Sequence, residues 1–126
     1  MSTVIEKETS EKTASQDLKT NETPVEVSRI RPVTDIYRNE DQVRIVLDLP
    51  GASEDQVEVS VHDGELSIKA EVPREHGELR RYERSFRVDR RMDTAQMKAV
   101  LQRGVLSLSL PFHEEAKPRR IEVLAG

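Results

Sequence analysis

From residue 31 onward, apolar and polar side chains alternate in short runs separated by proline, glycine and aspartate. Alternation with a period of two puts successive side chains on opposite faces of an extended strand, so each run predicts a half-buried β-strand. Val43, Ile45, Leu47 and Leu49 share one face, Arg44, Val46 and Asp48 the other, and Pro50-Gly51 stops the run. Val57, Val59 and Val61 then stand against Glu58, Ser60 and His62. Asp63-Gly64 has the chemistry of a tight hairpin turn, and Leu66, Ile68, Ala70 and Val72 face inward on the returning strand. Residues 33–37 predict a weaker strand ahead of these.

The polar stretch at 73–78 interrupts the pattern before residues 80–88, where Tyr82, Arg84, Phe86 and Val88 share a face. Arg84 stands out there: buried, it needs a carboxylate or carbonyl partner, and at a sheet edge its long side chain can reach water instead. Residues 92–96 predict a short helical turn with Asp93 or Thr94 near its start. Met97, Ala99 and Leu101 make a further strand, Arg103-Gly104 turns the chain, and Leu106, Leu108 and Leu110 face inward before Pro111. Short strands, tight turns and the lack of a long amphipathic helix predict an all-β, immunoglobulin-like β-sandwich of two sheets. The first 30 residues, rich in Ser, Thr, Glu and Lys without a sustained period, read as a disordered arm. The domain is expected over residues 31–112 and a C-terminal extension over 113–126.

Composition narrows the functional classes. The 126 residues suit one domain with tails, and 35% hydrophobic residues with only 3% aromatics leave a small core. No apolar run is long enough to span a bilayer, and the start has no signal-peptide hydrophobic region, so the expected location is cytoplasmic, with no membrane partner. There is no cysteine, which excludes disulfides, thiolate zinc sites and a cysteine nucleophile. A net charge of −4 disfavours nucleic acid as a partner, and the pairs Arg80-Arg81, Arg90-Arg91 and Arg119-Arg120 all have acidic neighbours. His62, His76 and His113 fall in no ligand or nucleophile spacing, and the glycines make no phosphate-binding loop, so no catalytic residue, metal or cofactor is expected.

The tail carries a different signal. Ile121 and Val123, two apart on an extended segment, present branched apolar knobs in one direction while Glu122 stays in water. Burying both yields about 3–5 kcal/mol before ordering costs, which suits a reversible contact. The charged stretch at 114–118 reads as a linker, so these knobs are expected to dock elsewhere rather than complete their own sheet.

Four stretches in order give the domain a resemblance to the α-crystallin domain of bacterial small heat-shock proteins. Val33-Thr34-Asp35-Ile36-Tyr37 is similar to the family's opening strand, and Asp48-Leu49-Pro50-Gly51 to its Leu-Pro-Gly turn. Arg84-Ser85-Phe86-Arg87 resembles its arginine-rich strand, and Ala99-Val100-Leu101-Gln102-Arg103-Gly104-Val105-Leu106 its Ala-x-x-x-Asn-Gly-Val-Leu signature. The resemblance implies an ATP-independent holdase that binds unfolding client proteins, with itself as a partner in reversible oligomers. It also implies that Ile121 and Val123 dock into a neighbouring subunit's groove, carried over to Val57, Val59 and Val61 on one strand and Met97, Ala99 and Leu101 on another.

The chain departs from the family pattern in three places. Arg103 stands where the family has Asn or Asp, at a turn position of positive φ. The link between Val72 and Arg80 is too short for the strand exchange of many bacterial and plant members, so pairing through residues 80–88 stays open, with Tyr82, Arg84 and Phe86 near that interface. The arm carries no aromatic residue, only Val4, Ile5, Leu18, Val25 and Val27, which implies weaker client capture and smaller assemblies than usual. The rival reading is a β-sandwich adaptor of the co-chaperone type that binds a folded partner without self-assembly.

Overall fold

The computed structural model describes residues 26–126. Among these residues eight strands run in chain order: β1 (Glu26–Ile30), β2 (Thr34–Arg38), β3 (Gln42–Asp48), β4 (Val57–His62), β5 (Glu65–Pro73), β6 (Glu78–Arg87), β7 (Lys98–Gln102) and β8 (Val105–Pro111). They form two four-stranded sheets, ordered β1-β6-β5-β4 and β2-β3-β8-β7. All pairings are antiparallel except that of β1 with β6.

The core lies where the alternation put it. Val43, Ile45, Leu47 and Leu49 from β3 and its end meet Leu66, Ile68, Ala70 and Val72 from β5 and Leu106, Leu108 and Leu110 from β8, all buried. Tyr82 and Phe112 complete this cluster. Aliphatic side chains from the two inner faces therefore supply most of the burial, the main favourable contribution to folding of a chain this poor in aromatics.

Both tight turns are two-residue loops with positive φ throughout. Asp63 and Gly64 (φ 51° and 75°) join β4 to β5, and Arg103 and Gly104 (φ 52° and 76°) join β7 to β8. This geometry matches the right-handed twist of the flanking strands. Arg103 thus holds the left-handed conformation that the departure from Asn or Asp implies. Gly104 is needed on a second count: an added Cβ would lie 3.3 Å from the Leu49 carbonyl oxygen.

The structure corrects the expected boundaries. Residues 26–30 lie not in a disordered arm but in β1, which runs parallel to β6 from Glu26 opposite Glu78 to Ile30 opposite Tyr82. Main-chain pairing with an edge demands no hydrophobic period, and Ser28 adds a hydrogen bond from its hydroxyl to the Glu78 carboxylate at 3.1 Å. The rest of the expected arm, with Val4, Ile5, Leu18 and Val25, lies outside the described residues. At the other end, Glu114–Ala116 is not linker but a single 3₁₀ turn, with Ala116 packed on the core. Lys117 is held there by Glu114 at 2.7 Å, and that hydrogen bond raises the lysine pKa above its ordinary value. No strand or helix follows from residue 117 to 126.

Candidate assembly groove and tail

β4 and β7 are the edge strands of their respective sheets and lie on the same side of the sandwich. No strand among the described residues joins them, and an apolar groove runs between them, lined by Val57 and Val59 from β4, Ala99, Val100 and Leu101 from β7, and Leu106. Leu106 is 2% exposed and belongs to the core, so the groove opens onto the hydrophobic interior. Val57, Val59 and Leu101 are half-buried and pack on that core from one side while meeting the groove on the other. An edge of this kind presents unpaired main-chain groups beside apolar side chains, a surface suited to an extended segment.

Four of the six carried-over positions, Val57, Val59, Ala99 and Leu101, line this groove together. Val61 lies further along β4 and Met97 packs on the core just before β7, and neither is part of the lining. Val100, Leu106 and Glu54 were missed. Leu106 reads from the sequence as core alone, and Glu54 sits in the 3₁₀ turn ahead of β4, where no alternation exists to reveal it.

The tail is exposed. Ile121, Val123 and Leu124 are 72%, 90% and 77% accessible, and residues 118–126 join neither sheet, so the tail does not complete its own sheet.

The expected dimer residues divide. Tyr82 is 2% exposed and faces the core of its own domain, where its hydroxyl donates to the Pro50 carbonyl at 3.1 Å. Its side chain is therefore not available to a partner. The edge of β6 is covered by β1 as far as Tyr82, and no described strand pairs with it beyond, at Arg84 and at Phe86, whose ring packs partly on the core. Arg84 is half-buried, with its guanidinium 5.1 Å from the Phe86 ring centre and Nη1 3.5 Å from the Pro32 carbonyl oxygen. Its Nε has no hydrogen-bond partner among the described residues, so the carbonyl partner that burial demands is present but leaves the group only partly satisfied.

No group of three or more potential metal ligands occurs among the described residues, where His62 and His113 instead approach Asp63 and Asp93. No helix among them is long and apolar enough to cross a membrane.

The model of the Hsp20/alpha crystallin family matches residues 35–124, a span that includes both the groove and the tail. The chain belongs to the small heat-shock protein family. It is 35% identical over 98 residues to 18 kDa antigen 2 of Mycobacterium avium, covering 71% of each chain. It is 32% identical over 105 residues to a probable 15 kDa heat shock protein of Leptospira interrogans, covering 75% of this chain and 78% of that one. Among solved structures, a small heat-shock protein from Xylella fastidiosa superposes with a TM-score of 0.60 at 28% identity, over 78% of this chain and 100% of that one. Heat shock protein 16.0 from Schizosaccharomyces pombe shares the fold with a TM-score of 0.62 at 21% identity, over 77% of each chain.

Within this small heat-shock protein fold, two of the stretches that carried the resemblance meet in space. The Leu49 amide at the Leu-Pro-Gly turn donates to the Gly104 carbonyl at 2.6 Å. The signature glycine is therefore a packing requirement between two turns as well as a turn former.

Proposed function

We propose that this small heat-shock protein is an ATP-independent holdase that assembles reversibly through its tail and keeps unfolding proteins from aggregating, without catalysing a reaction. The observation that carries the reading is the pairing of an exposed Ile121-x-Val123 segment with an apolar groove of matching character that no other described residue fills. Two side chains that cost free energy in water and a groove that opens onto the core are complementary surfaces, and a neighbouring copy supplies each with its partner. Residues Val57, Val59, Ala99 and Leu101 receive the tail, and Arg84 and Phe86 on the uncovered part of β6 meet a second subunit in the dimer. Individually weak contacts of this kind, repeated over an assembly, give avidity while letting subunits exchange.

Client capture follows from the same surfaces. When tails leave their grooves, apolar edges become available to exposed segments of unfolding proteins, and a chain with 35% charged residues keeps the complex dispersed. The Xylella fastidiosa relative is described as having a distinct high order structure, which fits an assembling family member. The cytoplasm is the proposed location. An adaptor that never self-assembles has no use for the tail and groove together.

The test is heat-induced aggregation of a model client, followed by turbidity, with the full chain added at rising ratios and no nucleotide. Suppression near equal subunit numbers is expected. Undiminished aggregation in the presence of folded, soluble protein would overturn the reading.

A further inference from the structure

β2 is an edge strand of its sheet, and no described strand pairs with its free side. Edge strands are commonly guarded by lysine, proline or a bulge, because unpaired main-chain groups invite a second strand. Residues 34–38 hold no lysine or proline, and their pairing with β3 runs in one unbroken register. Ile36 and Tyr37 are 56% and 55% exposed in the middle of this strand.

The neighbouring bonds show which main-chain groups are free. The Asp48 amide donates to the Val33 carbonyl at 3.0 Å, and the Asn39 amide to the Gln42 carbonyl at 3.1 Å. Hydrogen-bonded and non-hydrogen-bonded pairs alternate along an antiparallel ladder. Positions 33, 35, 37 and 39 therefore turn their N–H and C=O groups toward β3, and Thr34, Ile36 and Arg38 turn theirs toward the free side.

We propose that β2 pairs antiparallel with β2 of a second copy, centred on Ile36, so that two β2-β3-β8-β7 sheets become one continuous sheet. The contact does not depend on the tail or its groove, which lie at the other side of the sandwich. A two-fold axis perpendicular to the sheet keeps every side chain on its own face, so each residue meets itself or one an even number of positions away. Centred on Ile36, Thr34 meets Arg38 of the other copy and Ile36 meets Ile36, and every free main-chain group finds a partner. Centring on Asp35 or Tyr37 leaves the groups of Arg38 or Thr34 unpaired, and the first also sets two aspartates face to face.

The side chains fit the same register. On the inner face Ile36 stands beside buried Ile45, so Ile36 and its copy complete an apolar row across the junction. On the outer face Asp35 falls opposite the other copy's Tyr37, whose ring centre lies 5.5 Å from the guanidinium of Arg44. Neither Asp35 nor Arg44 has an ion-pair partner among the described residues. The pairing brings these opposite charges together, once on each side of the axis.

Because the chain has no cysteine, single substitutions in the full chain can read the register. Ile36→Cys should form an intermolecular disulfide under mild oxidation faster than Asp35→Cys or Tyr37→Cys, since residue 36 alone faces its own copy, at about 5.5 Å between Cα atoms. The crosslink should persist when Ile121→Ala and Val123→Ala are added. No disulfide, faster crosslinking at 35 or 37, or loss of the crosslink in the tail variant overturns the proposal. Ile36→Pro removes an N–H that the domain itself does not use, and should raise the subunit concentration needed for assembly by about tenfold or more. An unchanged mass distribution from folded Ile36→Pro protein would contradict the pairing. Asp35→Lys, which leaves the main chain intact, should weaken assembly by a smaller factor, and Arg44→Glu added to it should restore assembly. Weakening without restoration overturns the Asp35 to Arg44 contact and the register with it.

Discussion

The two sides of the sandwich manage their exposed strands in opposite ways. On one side the chain crosses between sheets through residues 31–33, and β1 pairs with β6 over Glu78 to Tyr82. On the other side β4 and β7 face each other with a groove between them and no strand from the described chain in it. β1 is held by main-chain pairing and offers little apolar surface, with Ser28 and Ile30 its half-buried members, while β2, the other edge strand on this side, leaves Ile36 and Tyr37 more than half exposed. The open edge is apolar to its floor at Leu106. The groove side offers apolar side chains beside unpaired main-chain groups, a surface suited to an extended segment.

Substitutions can break or sharpen this contrast. The largest effect is expected from Leu106→Ala, because Leu106 is both groove floor and core. Truncation there should cost about 2–5 kcal/mol, measured by denaturant unfolding, so the open edge cannot be emptied without loosening the domain. Proline at both Val27 and Ser28 removes ladder hydrogen bonds of β1 whichever way the parallel pattern falls, at an expected cost of about 1–3 kcal/mol. Hydrogen exchange should then quicken at residues 78–82 and leave the protection of β5 and β8 unchanged. Unaltered exchange would mean that β1 does not guard that edge.

Smaller effects sharpen the picture. Arg103→Asn places a residue more tolerant of φ near +52° in the turn beside the groove and should stabilise the domain by about 1 kcal/mol in thermal unfolding. A loss of stability would show that Arg103 makes a contribution beyond its backbone. Ser28→Ala removes the bond to Glu78 and should cost about 0.5–1 kcal/mol, without changing assembly mass.

How far the sequence reveals all this depends on what kind of contact builds each part. The inward faces of β3, β5 and β8 are legible because burial on one face leaves a period of two, and the Asp63-Gly64 hairpin because its φ values demand particular residues. β1 is not legible: Glu-Val-Ser-Arg-Ile has no clean alternation, and its pairing partner is about fifty residues distant. Alternation set Tyr82, Arg84 and Phe86 on one face correctly, yet it cannot say that Tyr82 meets the domain's own core while Arg84 lies at the uncovered edge. The groove was half legible for the same reason. Val57, Val59, Ala99 and Leu101 follow from the family resemblance, since alternation alone does not say which side chains line a groove, whereas Glu54 lies on a turn and becomes visible only when the strands are in place.

The most direct test of the account is the solution mass of the full chain against Ile121→Ala with Val123→Ala, by sedimentation velocity or light scattering at matched concentration. The tail is exposed, so the variant should keep its fold and thermal stability while particles fall toward dimers. An unchanged mass distribution would contradict the claim that the open edge is filled by a second copy's tail.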